Sequence, residues 1–432
     1  MNSLSEFARQ RGVRYFLVSF TDLRGVQRAK LVPAAAIDKI SAEGAGFAGF
    51  ATWLDMTPAD PDMLAMPLAE TALQLPWKPE VAWVVGELVM AGKPVEQAPR
   101  RVLMRQIQRA RERGYTLKSG VECEFFLLTP SGEALSDAAD TQAKPCYDQL
   151  ALMRRYDVIT TLCDAMLQLG WEPYQNDHED ANGQFEMNWT YSDALTTADR
   201  HSFFKYMAKT IAEQHGLRAT FMPKPFAALS GNGCHAHLSL WANDQNVFSD
   251  PRGELGLSRV AYQFLAGLLQ HAPALCAITN PTVNSYKRIH GAPTHSGATW
   301  SPNTVSYTGN NRTHMIRIPD ADRFELRLAD GSTNPYLLQA AVLAAGLDGV
   351  TQQSDPGPRR DNNMYSEPLP PGEVAELPSN LLDAIRALRS NEGLRVALGP
   401  AFVDAYCKLK EREWHEHQAQ ISSWERAATL DC

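Results

Sequence analysis

Polar and apolar residues alternate along a segment near the centre of the chain, from Gly231 to Trp241. Successive side chains of a β-strand point to opposite faces, so His235, His237 and Ser239 would share one face, with apolar residues between them. Two imidazoles and a hydroxyl on a strand whose reverse face is apolar predict a chemically active surface backed by a hydrophobic core.

Three further segments repeat this alternation with acidic, basic and amide side chains on the polar face. Segment by segment, the polar positions are Glu122 and Glu124; Gln184, Glu186 and Asn188; and Arg323, Glu325 and Arg327. Taken singly, each segment is typical of an antiparallel strand with one solvated side. Together the four segments carry Glu, His and Arg where an ordinary solvated face carries Lys, Thr and Ser, which favours one shared site.

The remaining periodicity divides the chain into two parts. Strands at 14–20 and 27–32, joined by a turn, and a strand at 81–89 predict a small, mostly β domain. Prolines punctuate residues 94–99 and a helix is predicted over 100–113, so we expect domains at 1–98 and 99–432. In the second domain we predict helices over 148–169, 192–215, 257–278, 335–348, 380–396 and 401–426, and strands near 117–128, 184–190, 218–222, 234–241 and 323–328.

Composition excludes several classes of protein. The 432 residues are 44% hydrophobic and 21% charged, as in a globular protein with a large core. A formal net charge of -8 without a long Lys/Arg run argues against nucleic acid or an anionic membrane as partner. We find neither a signal peptide nor an apolar run of the ~18 residues that a membrane span needs. Seven cysteines without a Cys-x-x-Cys pair favour reduced thiols and a cytoplasmic location.

The clustered carboxylates predict a metal site. Several carboxylates on one surface raise one another's pKa and destabilise the fold unless a cation compensates them, and Arg323 and Arg327 would neutralise only part of that charge. Carboxylates with one His favour Mg²⁺ or Mn²⁺ over Zn²⁺. Such cations beside arginines suit phosphoryl transfer from a nucleotide. The sequence lacks a Gly-x-x-x-x-Gly-Lys-Ser/Thr loop, so a P-loop enzyme is excluded.

The order of these motifs resembles that of the glutamine synthetase family over nearly the whole chain. The matching segments are 121–126, 178–179 with 183–186, 221–225, 233–239, 280–288, 311–317 and 323–327. Segments 296–303 and 307–312 are similar to the class III-type branch, which includes γ-glutamylmethylamide synthetases. The resemblance implies an α+β fold, with a small β-grasp N-terminal domain and a catalytic domain built on a curved antiparallel sheet with surrounding helices.

The resemblance also implies an activity and an assembly. Family members phosphorylate the γ-carboxylate of L-glutamate with ATP, and an amine then attacks the acyl phosphate, so L-glutamate, an amine and ATP would be the small-molecule substrates. The assembly would be a homo-oligomer, a dodecamer of two stacked hexameric rings. Each active site would lie between the N-terminal domain of one subunit and the catalytic domain of the next.

Roles for individual residues follow from the matched motifs. Two or more Mg²⁺ or Mn²⁺ ions per site would be held by Glu124, Glu179 and Glu186 for one ion and by Glu122, His235 and Glu325 for the other. Arg288 and Arg327 would bind the glutamate carboxylates and would act in catalysis together with Arg312. Ser230 and Gly231 would also bind the substrate, with Gly231 near its amino end. The ATP side would be formed by Arg312, Arg317 and Arg323 at the phosphates, together with His237 and Ser239.

The chain departs from the ammonium-using members in two places. Their Phe-Asp-Gly-Ser motif is here Phe47-Ala48-Gly49-Phe50, so Ala48 replaces an ammonium-binding Asp. Their Tyr-Glu-Ala-Pro flap is replaced by a longer segment beginning at His290, and no Asp or Glu occurs between Arg288 and Asp320. A less acidic pocket predicts a preference for methylamine over ammonium. Both amines could be used, since one methyl group is worth only ~1–3 kcal/mol.

Several alternatives stay open at this level. His295, or else His290, would accept the proton of the amine in place of the lost carboxylates, unless it is simply an exposed loop histidine. Glutamine synthesis proper and ligation of a larger amine, such as a polyamine, are the competing reactions. A non-catalytic relative should have lost metal ligands, and none of the six is missing. Tyr365 matches by position a tyrosine that is adenylylated in some relatives, but an unmodified loop tyrosine is the favoured interpretation.

Overall fold

The protein is described by a computed structural model that covers residues 3–292, 294–368, 370 and 372–432. Residues Met1, Asn2, Pro293 of the flap, Leu369 of the loop after Tyr365, and Pro371 lie outside the described residues. The elements of the N-terminal part are α1 (Leu4–Arg11), β1 (Tyr15–Thr21), β2 (Gln27–Pro33), α2 (Ile37–Glu43), β3 (Ala45–Phe47), β4 (Met63–Pro67), β5 (Leu73–Leu75), β6 (Lys78–Met90) and β7 (Lys93–Pro94).

A longer series of alternating helices and strands follows. Its elements are α3 (Pro99–Arg111), β8 (Thr116–Leu128), α4 (Gln149–Arg154), α5 (Tyr156–Gln168), β9 (Pro173–His178), β10 (Gln184–Trp189), β11 (Ser192–Asp193), α6 (Ala194–Gln214), β12 (Arg218–Thr220), β13 (Cys234–Ala242), β14 (Gln245–Asn246), α7 (Arg259–Thr279), α8 (Ser285–Ile289), β15 (Tyr307–Thr308), β16 (Ile316–Asp320), β17 (Arg323–Leu326), α9 (Pro335–Gln352), α10 (Leu381–Ser390), α11 (Glu392–Leu398), α12 (Pro400–Gln418) and α13 (Ser423–Thr429).

The N-terminal strands form one sheet in the order β2-β1-β6-β4-β3, with β5 and β7 also paired to β6. The predicted hairpin is confirmed, since β1 and β2 pair antiparallel from Tyr15 opposite Pro33 to Thr21 opposite Gln27. Strands β1 and β6 run parallel, which requires the long connection that helix α2 and β3–β5 supply. This sheet ends before α3, and the domain boundary at residue 98 stays a prediction.

The second sheet brings the four predicted polar strands side by side. Its order is β15-β16-β17-β13-β8-β10-β9, with β11 and β12 paired to β8 and β14 paired to β13. Its neighbouring strands are antiparallel except for the parallel pair β15 and β16. The expected α+β fold with a curved antiparallel sheet is therefore confirmed.

The reverse face of this sheet carries the hydrophobic core. Phe125 of β8 packs its ring 6.4 Å from Phe185 of β10 and 6.1 Å from Phe204 of α6, centroid to centroid. Phe324 of β17 lies 6.1 Å from Phe264 of α7. All five side chains are almost fully buried, and each contributes roughly 1.5–3 kcal/mol of transfer free energy. Helices α6 and α7 thus hold the sheet from behind and leave its polar face open.

Three predicted helices prove to be interrupted. The helix expected over 148–169 breaks at Arg155 between α4 and α5. The one expected over 380–396 breaks at Asn391, whose side chain accepts a hydrogen bond from the Leu394 N–H and so caps a new helix. The third, over 401–426, stops at Gln418 and restarts at a capping box that begins with Ser422. Within the described ranges, no helix combines the length and hydropathy that crossing a membrane requires.

Candidate active site

The register of the second sheet places the predicted site residues opposite one another. His235 of β13 lies across from Glu122 of β8, and Glu186 of β10 lies across from Glu124 of β8. On the other edge of β13, His237 pairs with Glu325 of β17. The alternation that put these side chains on one face of each strand therefore brings them to one face of the sheet.

Two adjoining cavities open on this face. One, of about 460 Å³, is lined by all six predicted metal ligands together with Ser230, Gly231, Arg312 and Arg327. The other, of about 620 Å³, is lined by His237, Ser239 and Arg323. Glu122, Gln175 and Arg317 border both cavities. For brevity we name them the acidic cavity and the nucleotide-side cavity. The residues predicted for glutamate and metals are thus separated from most of those predicted for ATP.

Glu122 lies between two imidazoles. Its Oε2 is 2.9 Å from His235 Nδ1 and its Oε1 is 2.8 Å from His237 Nε2. Burial alone would raise the pKa of Glu122, but the hydrogen bonds to His235 and His237 outweigh it and hold that pKa well below its usual range. Arg323 Nε donates to His237 Nδ1 at 3.2 Å, so the His237 proton lies on Nε2 and is donated to Glu122.

The two histidines differ in what remains available for a cation. His237 uses both ring nitrogens, and it also forms a compact group with Glu122 and Glu325 whose ligand atoms lie within 4.8 Å of one another. His235 Nδ1 is 3.5 Å from Glu325 Oε1, and its Nε2 is buried without a hydrogen-bond partner among the described residues. An unpartnered buried imidazole nitrogen is costly unless something binds it, which favours His235 over His237 as the ligand.

A second group concentrates negative charge. Asp177, Glu179 and Glu186 offer oxygens within 4.8 Å of one another. Burial, and then the surrounding carboxylates, raise the pKa values of Glu179 and Glu186 well above the usual range. Burial with the charges of Glu122 and Glu124 raises the pKa of Asp177 to about 6. Carboxylate oxygens so close together, beside an unpartnered imidazole, fit hard divalent cations such as Mg²⁺ or Mn²⁺.

Glycine is required where the loop before β13 meets these side chains. A Cβ on Gly233 would lie 2.7 Å from His235 Nε2 and 2.8 Å from Glu124 Oε1. The Gly233 N–H instead donates to Glu124 Oε2 at 2.6 Å. Close approach of the backbone thus orients a predicted ligand, and a larger residue would displace it.

The arginines occupy distinct positions around the acidic cavity. Arg327 is buried and pairs with Glu325, and Arg317 Nη1 donates to the second oxygen of Glu325 at 2.8 Å. Arg288 is buried and donates to the Leu328 carbonyl at 3.3 Å. Arg312 lies on the exposed rim of the same cavity. These positive charges border the carboxylate cluster, where an anionic substrate would need them.

Two predicted site residues lie elsewhere. Ala48 is exposed in the N-terminal part and does not line the acidic cavity of its own chain. His295 is exposed on the flap, which we define as residues 290–300, and it also does not line that cavity. His290 Nε2 is engaged 2.9 Å from the Pro378 carbonyl. From the flap, Ser296 and Trp300 reach the cavity wall.

Comparisons with known proteins agree with this geometry. The family model described as "Glutamine synthetase, catalytic domain" matches residues 96–429. This chain belongs to the glutamine synthetase family. It is therefore an ATP-dependent ligase that forms C–N bonds, and members of this family generally use ATP with divalent metals.

Individual relatives of this glutamine synthetase family member carry two different names. It is 60% identical over 430 residues to a "Glutamine synthetase" of Rhizobium leguminosarum bv. phaseoli, covering 99% of both chains. It is 44% identical over 435 residues to a "Glutamate--methylamine ligase" of Methyloversatilis universalis, covering 99% of this chain and 98% of that one. A solved structure described as "GmaS/ADP complex-Conformation 1" matches with a TM-score of 0.97 and 61% identity over 100% of both chains.

Sequence reasoning missed three acidic residues of this family member's site. Asp177 completes a carboxylate group, and its spacing of two from Glu179 was the same signal that identified Glu122 and Glu124. Asp140 accepts hydrogen bonds from His178 Nε2 at 2.7 Å and from the Gly183 N–H at 2.6 Å, and no local pattern singled it out. No sequence pattern identified Asp180 either.

Proposed function

We propose that this chain ligates an amine to the γ-carboxylate of L-glutamate through a γ-glutamyl phosphate, with methylamine preferred over ammonia. The observation that carries the preference is the nature of the flap at the acidic cavity: the flap contributes Ser296 and Trp300 to the wall, and the segment between Arg288 and Asp320 has no acidic residue. An ammonium ion gains more from a carboxylate than an alkylamine does, whereas a methyl group gains from an apolar wall.

Glutamine synthesis is the second candidate, and a specific observation favours it. The Rhizobium relatives at 60% and 59% identity are both named glutamine synthetase, whereas the relative named glutamate–methylamine ligase is 44% identical. The similarity to structures described as GmaS, at 61% and 58% identity, supports the first candidate. A preference is set by few residues, so overall identity decides little between two amines.

The two cavities suit the proposed chemistry. We assign ATP to the nucleotide-side cavity, with His237, Ser239 and Arg323 around it, and glutamate to the acidic cavity beside Arg288, Arg327, Ser230 and Gly231. A solved neighbour described as an ADP complex supports a nucleotide in this fold. Arg317, which borders both cavities, and Arg312, on the rim of the acidic cavity, would stabilise the charge of the transferring phosphoryl group.

We assign two or more Mg²⁺ or Mn²⁺ ions to the predicted ligands, Glu124, Glu179 and Glu186 for one and Glu122, His235 and Glu325 for the other. The compact groups in the structure differ from these sets by one member each, with Asp177 beside Glu179 and Glu186, and His237 beside Glu122 and Glu325. When bound, these cations would neutralise phosphate and carboxylate charge. The chain's own residues orient the set: His237 fixes Glu122, the Gly233 N–H fixes Glu124 and Arg327 fixes Glu325.

We also propose a homo-oligomer, as a dodecamer of two stacked hexameric rings, in a cytoplasmic setting. Ala48 and its neighbour Phe50, which is 60% exposed, lie on the surface of the N-terminal part, where a neighbouring subunit's acidic cavity would meet them. At the other end of the chain, Ile421, Trp424 and Leu430 are 69–76% exposed, an apolar surface that a second copy would cover. Sedimentation of the purified protein tests the assembly.

An amine panel tests the reaction. ATP, L-glutamate and Mg²⁺ are supplied with ammonia, methylamine, ethylamine or a polyamine, and products are identified by mass while phosphate release is timed. We expect γ-glutamylmethylamide as the product with the highest kcat/KM. A higher kcat/KM for ammonia would contradict the preference and establish the second candidate. Absence of product with every amine would instead indicate a non-catalytic relative.

A further inference from the structure

Asp180 is a buried carboxylate to which the proposed reaction gives no role. It is 8% exposed, follows Glu179 directly and lines the acidic cavity. Its backbone N–H donates to Glu179 Oε2 at 3.0 Å. Asp180 itself belongs to neither of the carboxylate groups described above. Its side chain points instead toward two adjacent loops that also line the cavity.

One oxygen of Asp180 joins those two loops. Ser230 Oγ donates to Asp180 Oδ2 at 2.6 Å from the loop that precedes β13, and Ser296 Oγ donates to the same oxygen at 2.5 Å from the flap. Thr294 Oγ1 lies 3.0 Å from Ser296 Oγ and donates to the Ala298 carbonyl at 2.6 Å. Segments separated by 50 and 116 positions along the chain thus meet at one buried acceptor.

These contacts indicate a role for Asp180. We propose that Asp180 is a positioning residue that seats the flap on the acidic cavity, and that this seat keeps water away from the acyl phosphate until the amine arrives. The inference rests on the proposed function. The flap of this chain has no carboxylate of its own, so the carboxylate that anchors it, Asp180, is supplied by the loop between β9 and β10.

If the flap no longer contacts the cavity, the acyl phosphate divides between two reactions, one with the amine and one with water. In the second reaction the acyl phosphate reacts with water in place of the amine: a water oxygen bonds to the carbonyl carbon of the γ-carboxyl group, the bond from that carbon to the phosphate oxygen breaks, and glutamate, inorganic phosphate and a proton are released. ATP is consumed without amide. The ratio of amide formed to phosphate released reports this partition directly, and a residue needed only for folding would not change that ratio.

The test uses the full-length enzyme with the amine that the wild type uses best. We expect Asp180→Ala to lower the ratio of amide to phosphate by roughly tenfold and to raise KM for glutamate similarly, as the loss of hydrogen bonds to a charged acceptor predicts. KM for ATP should stay unchanged, because Asp180 does not border the nucleotide-side cavity. Asp180→Asn retains an acceptor oxygen and should restore most of the ratio.

Variants that remove one hydroxyl group each separate the two hydrogen bonds that Asp180 accepts, from Ser230 and from Ser296. Ser296→Ala cuts only the link to the flap and should lower the ratio with little change in KM for glutamate, whereas Ser230→Ala should mainly raise that KM. Ser41→Ala and Asp62→Ala, both exposed in the N-terminal part, serve as controls. Ser296 is only half-buried and lies in a loop, so its variant is informative even if Asp180→Ala fails to fold.

The outcomes discriminate clearly. An unchanged ratio of amide to phosphate in Asp180→Ala and Ser296→Ala would contradict the proposal that Asp180 positions the flap. A loss of kcat with that ratio and every KM unchanged would contradict it as well. If the wild type prefers ammonia, the methylamine proposal fails, but the ratio measured with ammonia still decides the role of Asp180.

Discussion

The polar face of the second sheet and the flap both border the acidic cavity, yet they are built differently. The sheet side holds Glu122, Glu124 and His235 by strand register and by short hydrogen bonds between neighbouring side chains. The described residues of the flap form no strand or helix, and they include Trp300 at a φ of 54°, a left-handed conformation that a large side chain rarely adopts. The flap's shortest side-chain hydrogen bond to the cavity wall is the one from Ser296 to Asp180, beside longer contacts from Thr294 to Ser230 and from the His295 N–H to the Ala228 carbonyl.

This contrast separates the charged site on the sheet, which the family shares, from the amine preference, which differs between members. Charge that must be placed to a fraction of an ångström belongs on a rigid sheet, because strand pairing fixes every side chain on a face at once. Choice between two small amines needs only a difference in the cavity wall, which a loop can change without disturbing the fold. We therefore expect substitutions in the sheet to affect all amines equally and substitutions in the flap or at Ala48 to affect them unequally.

The largest effect should come from Glu186→Gln in the sheet. Activity with every amine should fall by roughly 10³-fold, since a carboxylate that holds a catalytic cation contributes several kcal/mol. In EDTA the variant should unfold at a higher temperature than the wild type. Burial and neighbouring carboxylates raise the pKa of Glu186, so its ionised form destabilises the fold at neutral pH, and glutamine does not ionise.

Kinetics with the amine panel and thermal melts in EDTA measure both effects. Glu133→Gln, at an exposed position, is the matched control and should change neither. Retention of more than a tenth of the activity, or a lower melting temperature in EDTA, would count against the predicted cation site.

Asp140→Asn should have the next largest effect. The carboxylate accepts from His178, Asn182 and the Gly183 N–H, so an amide in its place would turn a donor toward other donors and cost ~1–3 kcal/mol of stability. Misplacing Glu179 should raise the Mg²⁺ concentration for half-maximal activity by roughly 10–100-fold, with the amine preference unchanged.

Acid unfolding gives a second measurement on Asp140. Burial raises the pKa of Asp140, but the hydrogen bonds from His178, Asn182 and Gly183 outweigh it and lower the pKa below its usual value. The stabilisation is therefore present above pH ~4 and is lost as the pH falls further. The stability gap between wild type and Asp140→Asn should shrink in that range, while the exposed control Asp164→Asn shows no gap. A changed amine preference in Asp140→Asn would contradict the expectation that substitutions on the sheet side affect all amines equally.

A smaller and unequal effect is expected from Ala48→Asp. Restoring the carboxylate of the ammonium-using motif should raise kcat/KM for ammonia relative to methylamine by roughly tenfold, equivalent to ~1.4 kcal/mol. The effect requires an assembled oligomer, because Ala48 does not line the cavity of its own chain. Ala59→Asp, on the exposed surface of the same part of the chain, should leave the ratio unchanged. An equal change for both amines would contradict a role in selection.

The smallest effect should come from His295→Ala on the flap. A general base contributes typically 10²–10⁴-fold, but this imidazole is exposed and lies off the cavity wall, so we expect a loss of less than about tenfold in kcat. His415→Ala, another exposed histidine, is the control. A loss of 10²-fold or more would show that the flap brings His295 to the amine.

The sequence by itself determined the polar face. A period of two is a local property of a strand, so the alternation in 121–126, 184–188, 234–240 and 323–327 identified the acidic and imidazole side chains before any contact was known. The same pattern, extended to Asp177 and Glu179, would have added the missing member of the carboxylate group. Motif order then indicated the family, and with it the α+β fold.

Only the tertiary structure decided which residues meet across long stretches of chain. It placed Asp180 against Ser230 and Ser296, and Asp140 beneath the loop of Glu179. It left Ala48 and His295 away from the cavity. It also interrupted three predicted helices, at Arg155, at Asn391 and before Ser422. The physical reason is that such contacts depend on sheet register and loop path, which sum interactions over the whole chain, whereas side-chain alternation depends only on neighbouring residues.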